Sequence, residues 1–137
     1  MNNNYFFLVL LVAFTFLATT TVTAVPAPEQ QSCAGFSVLY PAGNETLKYG
    51  SHQNVTVQLG ESKIYVIVEV DIYDDDHNYR DTLFGGEVPV GSKTEVTVPF
   101  ILAGGTLSSG EYHYTVWGFN TPTSPCQTSS NSFMVSK

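Results

Sequence analysis

The densest group of polar side chains in the sequence begins at residue 74 and reads Asp-Asp-Asp-His-Asn-Tyr-Arg-Asp. Asp74, Asp76 and Asn78 recur at every second position, which is the spacing of alternate ligands around a calcium ion. The rest of the calcium-loop pattern is missing, because Tyr79 stands where glycine is required and Gly85 stands where the bidentate glutamate is required. We therefore expect a solvated acidic loop, and a calcium site at these residues remains the alternative.

Other catalytic or metal-binding patterns are weak. His52, His77 and His113 lie in three separate segments, without the paired spacing that presets a transition-metal site. Glycoside hydrolysis requires two carboxylates that face each other across a cleft. Nothing in the spacing of the acidic residues indicates such a pair. The residues that could supply the two carboxylates are Glu69, Asp71, Glu87, Glu95 and Glu111. We predict no catalytic residues and no cofactor, and a small polysaccharide-active enzyme remains an alternative.

Aromatic side chains are the stronger indication of a binding surface. A small core does not readily enclose all of them, and exposed rings on a sheet are a common platform for contacts with sugars or proteins. The alternative is that the rings pack against their neighbours. As candidate ligand-binding residues the sequence offers Tyr65, Tyr73, Tyr79 and Trp117.

Cys33 and Cys126 are the only cysteines, and they bracket most of the chain. Two cysteines in a secreted chain are expected to pair, so we predict a structural disulfide between the first strand region and the loop before the last strand. A redox or nucleophilic role is not indicated, because the chain has no CxxC spacing and no activating neighbour.

The first residues of the chain resemble an export signal. An apolar run from Phe6 to Leu17 precedes the small residues Val22-Thr23-Ala24, which predicts a signal peptide at residues 1–24. A transmembrane anchor is the competing interpretation, although threonines interrupt the run. Two prolines among polar residues indicate a flexible arm at residues 25–32, followed by one domain at residues 33–137.

The charge and the C-terminal sequence indicate a mature protein that is soluble and that binds neither nucleic acid nor a membrane surface. The net charge of −7 disfavours binding to nucleic acid or to a membrane surface. The C-terminal residues form no hydrophobic tail that would direct attachment of a lipid anchor. Two sequons, at Asn44 and Asn54, are predicted glycosylation sites if the chain passes through a eukaryotic secretory pathway.

The elements that must position these residues are short strands. Alternation of apolar and polar residues predicts about seven of them, within residues 36–40, 54–59, 64–73, 83–88, 94–100, 111–119 and 131–135. In the clearest one, a single inward face is expected to carry Ile64, Val66, Val68, Val70 and Ile72. The pattern predicts an all-β, antiparallel sandwich of the immunoglobulin or fibronectin type. Tyr112 follows Gly110 at the start of the penultimate strand and is expected to form a structural tyrosine corner.

Several short segments occur in the order found in a known domain: Tyr40-Pro41-Ala42-Gly43, Val55-Thr56-Val57, Val96-Thr97-Val98-Pro99, Ser109-Gly110-Glu111-Tyr112 and Ser132-Phe133-Met134-Val135. From about Phe36 to Val135, the chain resembles the immunoglobulin-like N-terminal domain of fungal Ser/Thr-rich, GPI-anchored cell-surface proteins. This family includes yeast proteins needed for cell-wall β-1,6-glucan assembly. The chain departs from it at Gln58-Leu59, where family members commonly carry a tryptophan, and in lacking the stalk and anchor signal. The resemblance implies a secreted or wall-associated sandwich and brings no catalytic residues.

The sequence thus predicts a non-enzymatic extracellular module that recognises cell-wall polysaccharide or an extracellular protein. In this hypothesis, aromatic rings provide affinity and the polar loop provides orientation. A calcium-dependent binding module that uses the same loop is the first alternative, and a small polysaccharide-active enzyme is the second.

Overall fold

The computed structural model describes residues 33–137, so the predicted signal peptide and N-terminal arm lie outside the described residues. No helix in this part of the chain is long and apolar enough to cross a membrane. Its strands, in chain order, are β1 (Ser37–Tyr40), β2 (Thr46–Lys48), β3 (His52–Gln58), β4 (Val66–Asp74), β5 (Tyr79–Pro89), β6 (Glu95–Ile101), β7 (Gly110–Thr121), β8 (Ser124–Ser129) and β9 (Phe133–Ser136).

Two sheets enclose the core. The smaller has the order β1-β3-β6, and the larger has the order β2-β9-β7-β4-β5, with β8 also paired to β7. The pairs are antiparallel except for β2 and β9, which run parallel. The predicted all-β sandwich of the immunoglobulin or fibronectin type is confirmed. Periodicity missed β2 and β8, because the former has only three residues and the latter is largely polar and contains Pro125.

A β-bulge in β4 sets which side chains face the core. In the pairing of β4 with β7, β4 advances two residues from Ile67 to Glu69 while β7 advances one from Gly118 to Trp117, which makes Val68 the extra residue of the bulge. As a result Ile67 is fully buried and Val68 is only half-buried, so the predicted single inward row is wrong at these two positions. Beyond the bulge the expected alternation holds, with Val70 and Ile72 fully buried.

The disulfide between Cys33 and Cys126 is present, with a Cα–Cα distance of 5.6 Å. Cys33 precedes β1 of the smaller sheet, whereas Cys126 lies in β8 of the larger sheet rather than in the predicted loop. The bond therefore connects the two sheets covalently, beside the hydrophobic contacts between them.

Tyr112 closes the turn that leads into β7. Its side chain is 4% exposed, and its hydroxyl donates to the Ser108 carbonyl oxygen at 3.1 Å while accepting from the Ser108 amide at 3.1 Å. Both backbone groups of Ser108 are thus satisfied by one phenol, which holds the turn against the core in the way expected of a tyrosine corner.

Loss of the disulfide is expected to destabilise the domain strongly. The bond spans a sequence separation of 93 residues, and closing a loop of roughly 100 residues contributes about 4.7 kcal/mol in the chain-entropy model. We expect the double variant Cys33→Ala/Cys126→Ala to lose about 3–5 kcal/mol of unfolding free energy in urea titrations. A loss below about 1 kcal/mol would show that the link between the sheets is dispensable.

Removal of the Tyr112 hydroxyl tests how much its hydrogen bonds to Ser108 stabilise the domain. Tyr112→Phe leaves the Ser108 amide and carbonyl without their partner, so we expect a loss of about 1–2 kcal/mol of unfolding free energy. Tyr79→Phe is the matched control, because the Tyr79 side chain is 54% exposed and its lost hydrogen bond can be replaced by water. Equal losses in the two variants would contradict a special role for Tyr112.

Candidate functional site

Functional side chains gather on the outer surface of the larger sheet. Glu69, Asp71 and Tyr73 alternate with the buried residues of β4 and lie opposite Trp117, Thr115 and His113 of β7, respectively. Tyr79 of β5 pairs with Tyr73 from the other side. We call this surface the aromatic–carboxylate face, and it consists of Glu69, Asp71, Tyr73, Tyr79, His113 and Trp117.

Asp71 is buried in this face and is held there by two side-chain hydrogen bonds. Its side chain is only 4% exposed, and its carboxylate accepts a hydrogen bond from the Trp117 indole nitrogen at 3.1 Å. It also accepts one from the Thr82 hydroxyl at 2.6 Å. These bonds explain how a carboxylate is buried on a sheet surface, because burial of a charge requires hydrogen-bond partners. The sequence offered Trp117 as a candidate ligand-binding residue, and the structure places it half-buried on the outer face.

A directed hydrogen-bond chain connects the buried carboxylate to an exposed ring. The Thr82 hydroxyl has one proton, which it gives to Asp71. In its contact with the Tyr79 hydroxyl at 3.1 Å, Thr82 is therefore the acceptor and Tyr79 the donor. The exposed Tyr79 ring is held in place by this chain, although more than half of its surface is open to solvent.

Three further ring contacts complete the aromatic group. The Tyr73 ring meets the edge of Tyr79 at a centroid distance of 5.8 Å and stacks on His113 at 5.6 Å with an interplanar angle of 15°. The His77 ring meets His113 at 5.2 Å. Such edge and stacked contacts restrain the rings beyond simple area burial. The sequence placed the histidines in separate segments, and only the pairing of β4 with β7 brings His113 beside Tyr73.

The electrostatic character of the face is set by burial. Burial and the nearby charge of Asp71 raise the pKa of Tyr73, which keeps its phenol neutral. Burial and the neighbouring His77 lower the pKa of His113 below its ordinary value of 6.5, so this imidazole is neutral at pH 7. Burial and the charge of Asp71 raise the pKa of Glu69 above its ordinary value of 4.5. The face therefore presents neutral rings beside two closely placed carboxyl groups.

The acidic loop uses its first aspartate for its own structure. The Asp74 carboxylate accepts from the Asn78 amide at 2.8 Å and from the Arg80 Nε at 2.9 Å, and it forms a salt bridge with the Arg80 Nη2. Partial burial opposes the charge of Asp74, but the hydrogen bonds from Asn78 and Arg80 prevail and hold its pKa at about 2.

The arrangement of this loop does not resemble a calcium site. The Arg80 guanidinium already neutralises Asp74, and Asp76 is exposed. The Asn78 side chain donates a hydrogen bond to Asp74, whereas in a calcium site both side chains would be ligands of the same ion. Within residues 33–137, no group of three or more His, Cys, Asp or Glu side chains is placed to hold a metal ion. A calcium site at Asp74, Asp76 and Asn78 stays a prediction of the sequence alone.

Tyr65 does not belong to this group of rings. It precedes β4 and is 48% exposed. The length of β4 separates it from Tyr73 by about 25 Å, since a strand rises about 3.3 Å per residue. A small ligand that contacts Tyr73 and Tyr79 therefore cannot contact Tyr65. The structure thus unites three of the four predicted binding residues and leaves the fourth at the other end of the sandwich.

The carboxylates considered for hydrolysis are not arranged across a cleft. Glu69 and Asp71 are neighbours on one face of one strand. Glu87, Glu95 and Glu111 are exposed and lie on β5, β6 and β7, with Glu95 in the opposite sheet. Of this pair, only Glu69 is partly exposed and can accept hydrogen bonds from a ligand that lies on the sheet, because both Asp71 oxygens already accept from Thr82 and Trp117.

Comparison with known proteins adds little to this geometry. No protein-family model and no curated protein matches the chain. Among solved structures, dimeric latent PorU from Porphyromonas gingivalis is 13% identical with a TM-score of 0.48, over 73% of this chain and 9% of that one. The fibronectin(III)-like modules of Clostridium thermocellum CbhA are 13% identical with a TM-score of 0.43, over 73% of this chain and 93% of that one. Such low scores carry no argument about function.

Replacement of Glu69 tests the electrostatics of the face. Because the pKa of Glu69 is raised in the folded state, its ionised form opposes folding at neutral pH, and protonation relieves this effect. We expect Glu69→Gln to increase the unfolding free energy at pH 7. The increase should shrink as the pH falls through the raised pKa and should level off below the ordinary value of 4.5. Urea titrations from pH 8 to pH 3 measure this dependence.

Glu95→Gln serves as the control, because Glu95 is exposed on the other sheet. A pH-independent difference between Glu69→Gln and the unsubstituted protein, or the same profile for both variants, would contradict the raised pKa of Glu69.

Proposed function

We propose that this protein is a secreted, non-enzymatic extracellular module that binds cell-wall glycan through the aromatic–carboxylate face. The observation that carries the proposal is the arrangement of Tyr73, Tyr79 and His113 as a restrained ring cluster beside the hydrogen-bonded Asp71. An exposed aromatic surface with a few fixed polar groups is the usual composition of a ligand site.

Each part of the face has a role in this proposal. The rings provide a flat apolar surface on which the C–H groups of a sugar can lie, while the partly exposed Glu69 accepts hydrogen bonds from its hydroxyl groups. Asp71 is 4% exposed and orders the face from beneath rather than contacting the ligand. The Trp117 and Thr82 side chains hold Asp71 in place before the ligand arrives. Less conformational freedom is therefore lost on binding, which favours affinity.

The covalent features of the domain support an extracellular location. The disulfide between Cys33 and Cys126 persists in oxidising compartments. Both sequon asparagines are exposed, and Asn54 lies on β3 of the smaller sheet, so a glycan at Asn54 would leave the aromatic–carboxylate face accessible. The resemblance to the fungal cell-surface family agrees with a place in or near a cell wall. The net charge of −7 disfavours nucleic acid and membrane surfaces as partners.

Binding to insoluble β-glucan and chitin tests the proposal. We expect the protein to be retained by at least one polymer and Tyr79→Ala to weaken retention about three- to tenfold, because an aromatic contact contributes about 0.5–1.5 kcal/mol. Tyr65→Ala is the matched control, since Tyr65 is similarly exposed and lies outside the face. Depletion of the soluble protein across a series of polymer concentrations gives the affinities.

Three results would contradict the proposal. Absence of retention by both polymers would exclude these glycans and favour a protein partner. Equal effects of Tyr79→Ala and Tyr65→Ala would exclude the aromatic–carboxylate face. Release of soluble sugars would contradict the non-enzymatic assignment. We expect retention to be unchanged by a calcium chelator, because Arg80 already neutralises Asp74.

A further inference from the structure

A second candidate site lies at the other end of the sandwich. The segments 59–65 and 90–94, which connect β3 to β4 and β5 to β6, border a cleft of about 590 Å³. This volume lies within the range of sites that hold small ligands, roughly 300–1,000 Å³. Neither the predicted binding loop nor the aromatic–carboxylate face contributes to it.

The charge of the cleft is opposite to that of the protein. Lys63 and Lys93 line it, although the whole chain has only 5 basic residues. None of the lining residues is acidic, although the exposed Glu61 and Glu95 lie in or next to the two segments, outside the lining. Within residues 33–137 a salt bridge joins Arg80 to Asp74, and neither cleft lysine forms a salt bridge with a carboxylate. Two unpaired ammonium groups therefore border one concave surface in an acidic protein.

The backbone fixes the two lysine-bearing turns relative to each other. The Val90 amide donates to the Tyr65 carbonyl oxygen at 3.0 Å, and the Leu59 amide donates to the Thr94 carbonyl oxygen at 3.0 Å. At the start of the first turn, Gly60 lies so close to Gly35 that an added Cβ would come within 2.5 Å of its backbone. The cleft thus has a defined shape before a ligand binds.

We propose that this cleft binds a short acidic sugar, with its carboxylate or sulfate group between Lys63 and Lys93 and its ring against Tyr65. Tyr65 lines the cleft with 48% of its surface exposed, which provides an apolar face for a sugar ring. The hydroxyl groups of Ser92 and Thr94 also line the cleft and offer neutral hydrogen-bond partners for sugar hydroxyls.

The surrounding charge limits the length of the ligand. The field of the two lysines is screened beyond about 8 Å at physiological ionic strength. A long polyanion would extend past that distance along a surface whose overall charge is negative. The cleft therefore suits a saccharide with one or two anionic groups better than an extended acidic polymer.

Titration with two probes tests this inference. The first probe is a galacturonate disaccharide, with its methyl ester as the uncharged control, and the second is glucose 6-sulfate, with glucose as the control. We expect at least one charged probe to shift the amide NMR signals of Gly91 and Ser92, while its uncharged counterpart binds more weakly. Binding of both probes would indicate recognition of any anionic sugar, and binding of one would identify the carboxylate or the sulfate.

Substitution of the lysines supplies the second measurement. Lys63→Gln/Lys93→Gln should weaken binding about tenfold or more, because both charge-assisted contacts are lost. The matched control is Lys48→Gln/Lys137→Gln, which removes the same charge from β2 and the C-terminal residue, outside the cleft. The lysines of the cleft are exposed, so the fold is expected to survive, and circular dichroism checks this.

Some outcomes would overturn the inference. These are absence of binding by both charged probes, equal binding of each charged probe and its uncharged counterpart, and equal effects of the two double variants. None of them bears on the proposed glycan function, because that function uses Tyr73 and Tyr79 at the opposite end and neutral polymers as probes.

Discussion

The packing of β4 and β7 against the smaller sheet is the contact on which the rest of this molecule depends. Val70 lies opposite Val116 and Ile72 lies opposite Tyr114, and all four side chains are fully buried. Because side chains alternate along a strand, burial of these residues forces their neighbours to the outer surface. The aromatic–carboxylate face is thus the other side of the hydrophobic core, and its geometry is as rigid as the packing beneath it.

The same face carries an electrostatic cost. Asp71 is buried with good hydrogen-bond partners, whereas Glu69 beside it has a raised pKa and opposes folding when it is ionised. In the proposed site this cost falls on Glu69, which is the carboxyl group of the pair that a ligand can reach.

The two proposed sites differ in charge and lie at opposite ends of the larger sheet. Neutral rings and carboxyl groups surround Tyr73, while the cleft beside Tyr65 is lined by two lysines and by no acidic residue. The length of β4 separates them by about 25 Å. One sandwich can therefore contact a neutral polymer at one end and a short acidic sugar at the other, without either ligand blocking the other.

The sequence by itself determined the features that depend on local pattern. Alternation at Val55 and Val57 fixed a strand with one buried face, the two cysteines fixed the disulfide, and the spacing around Tyr112 indicated the turn that its hydroxyl closes. These features could be predicted because side-chain direction repeats every two residues and because only one pairing of cysteines exists.

Only the tertiary structure decided which distant residues meet. The bulge at Val68 exchanged the burial expected of Ile67 and Val68, strand pairing placed His113 on Tyr73, and two separate turns brought Lys63 and Lys93 to one cleft. A one-residue change in register moves every following side chain to the other face of the strand. Neither strand register nor the position of a bulge can be predicted from the local alternation of residues. The fold could therefore be predicted from the sequence, whereas both proposed sites arise from contacts between segments that are far apart in sequence.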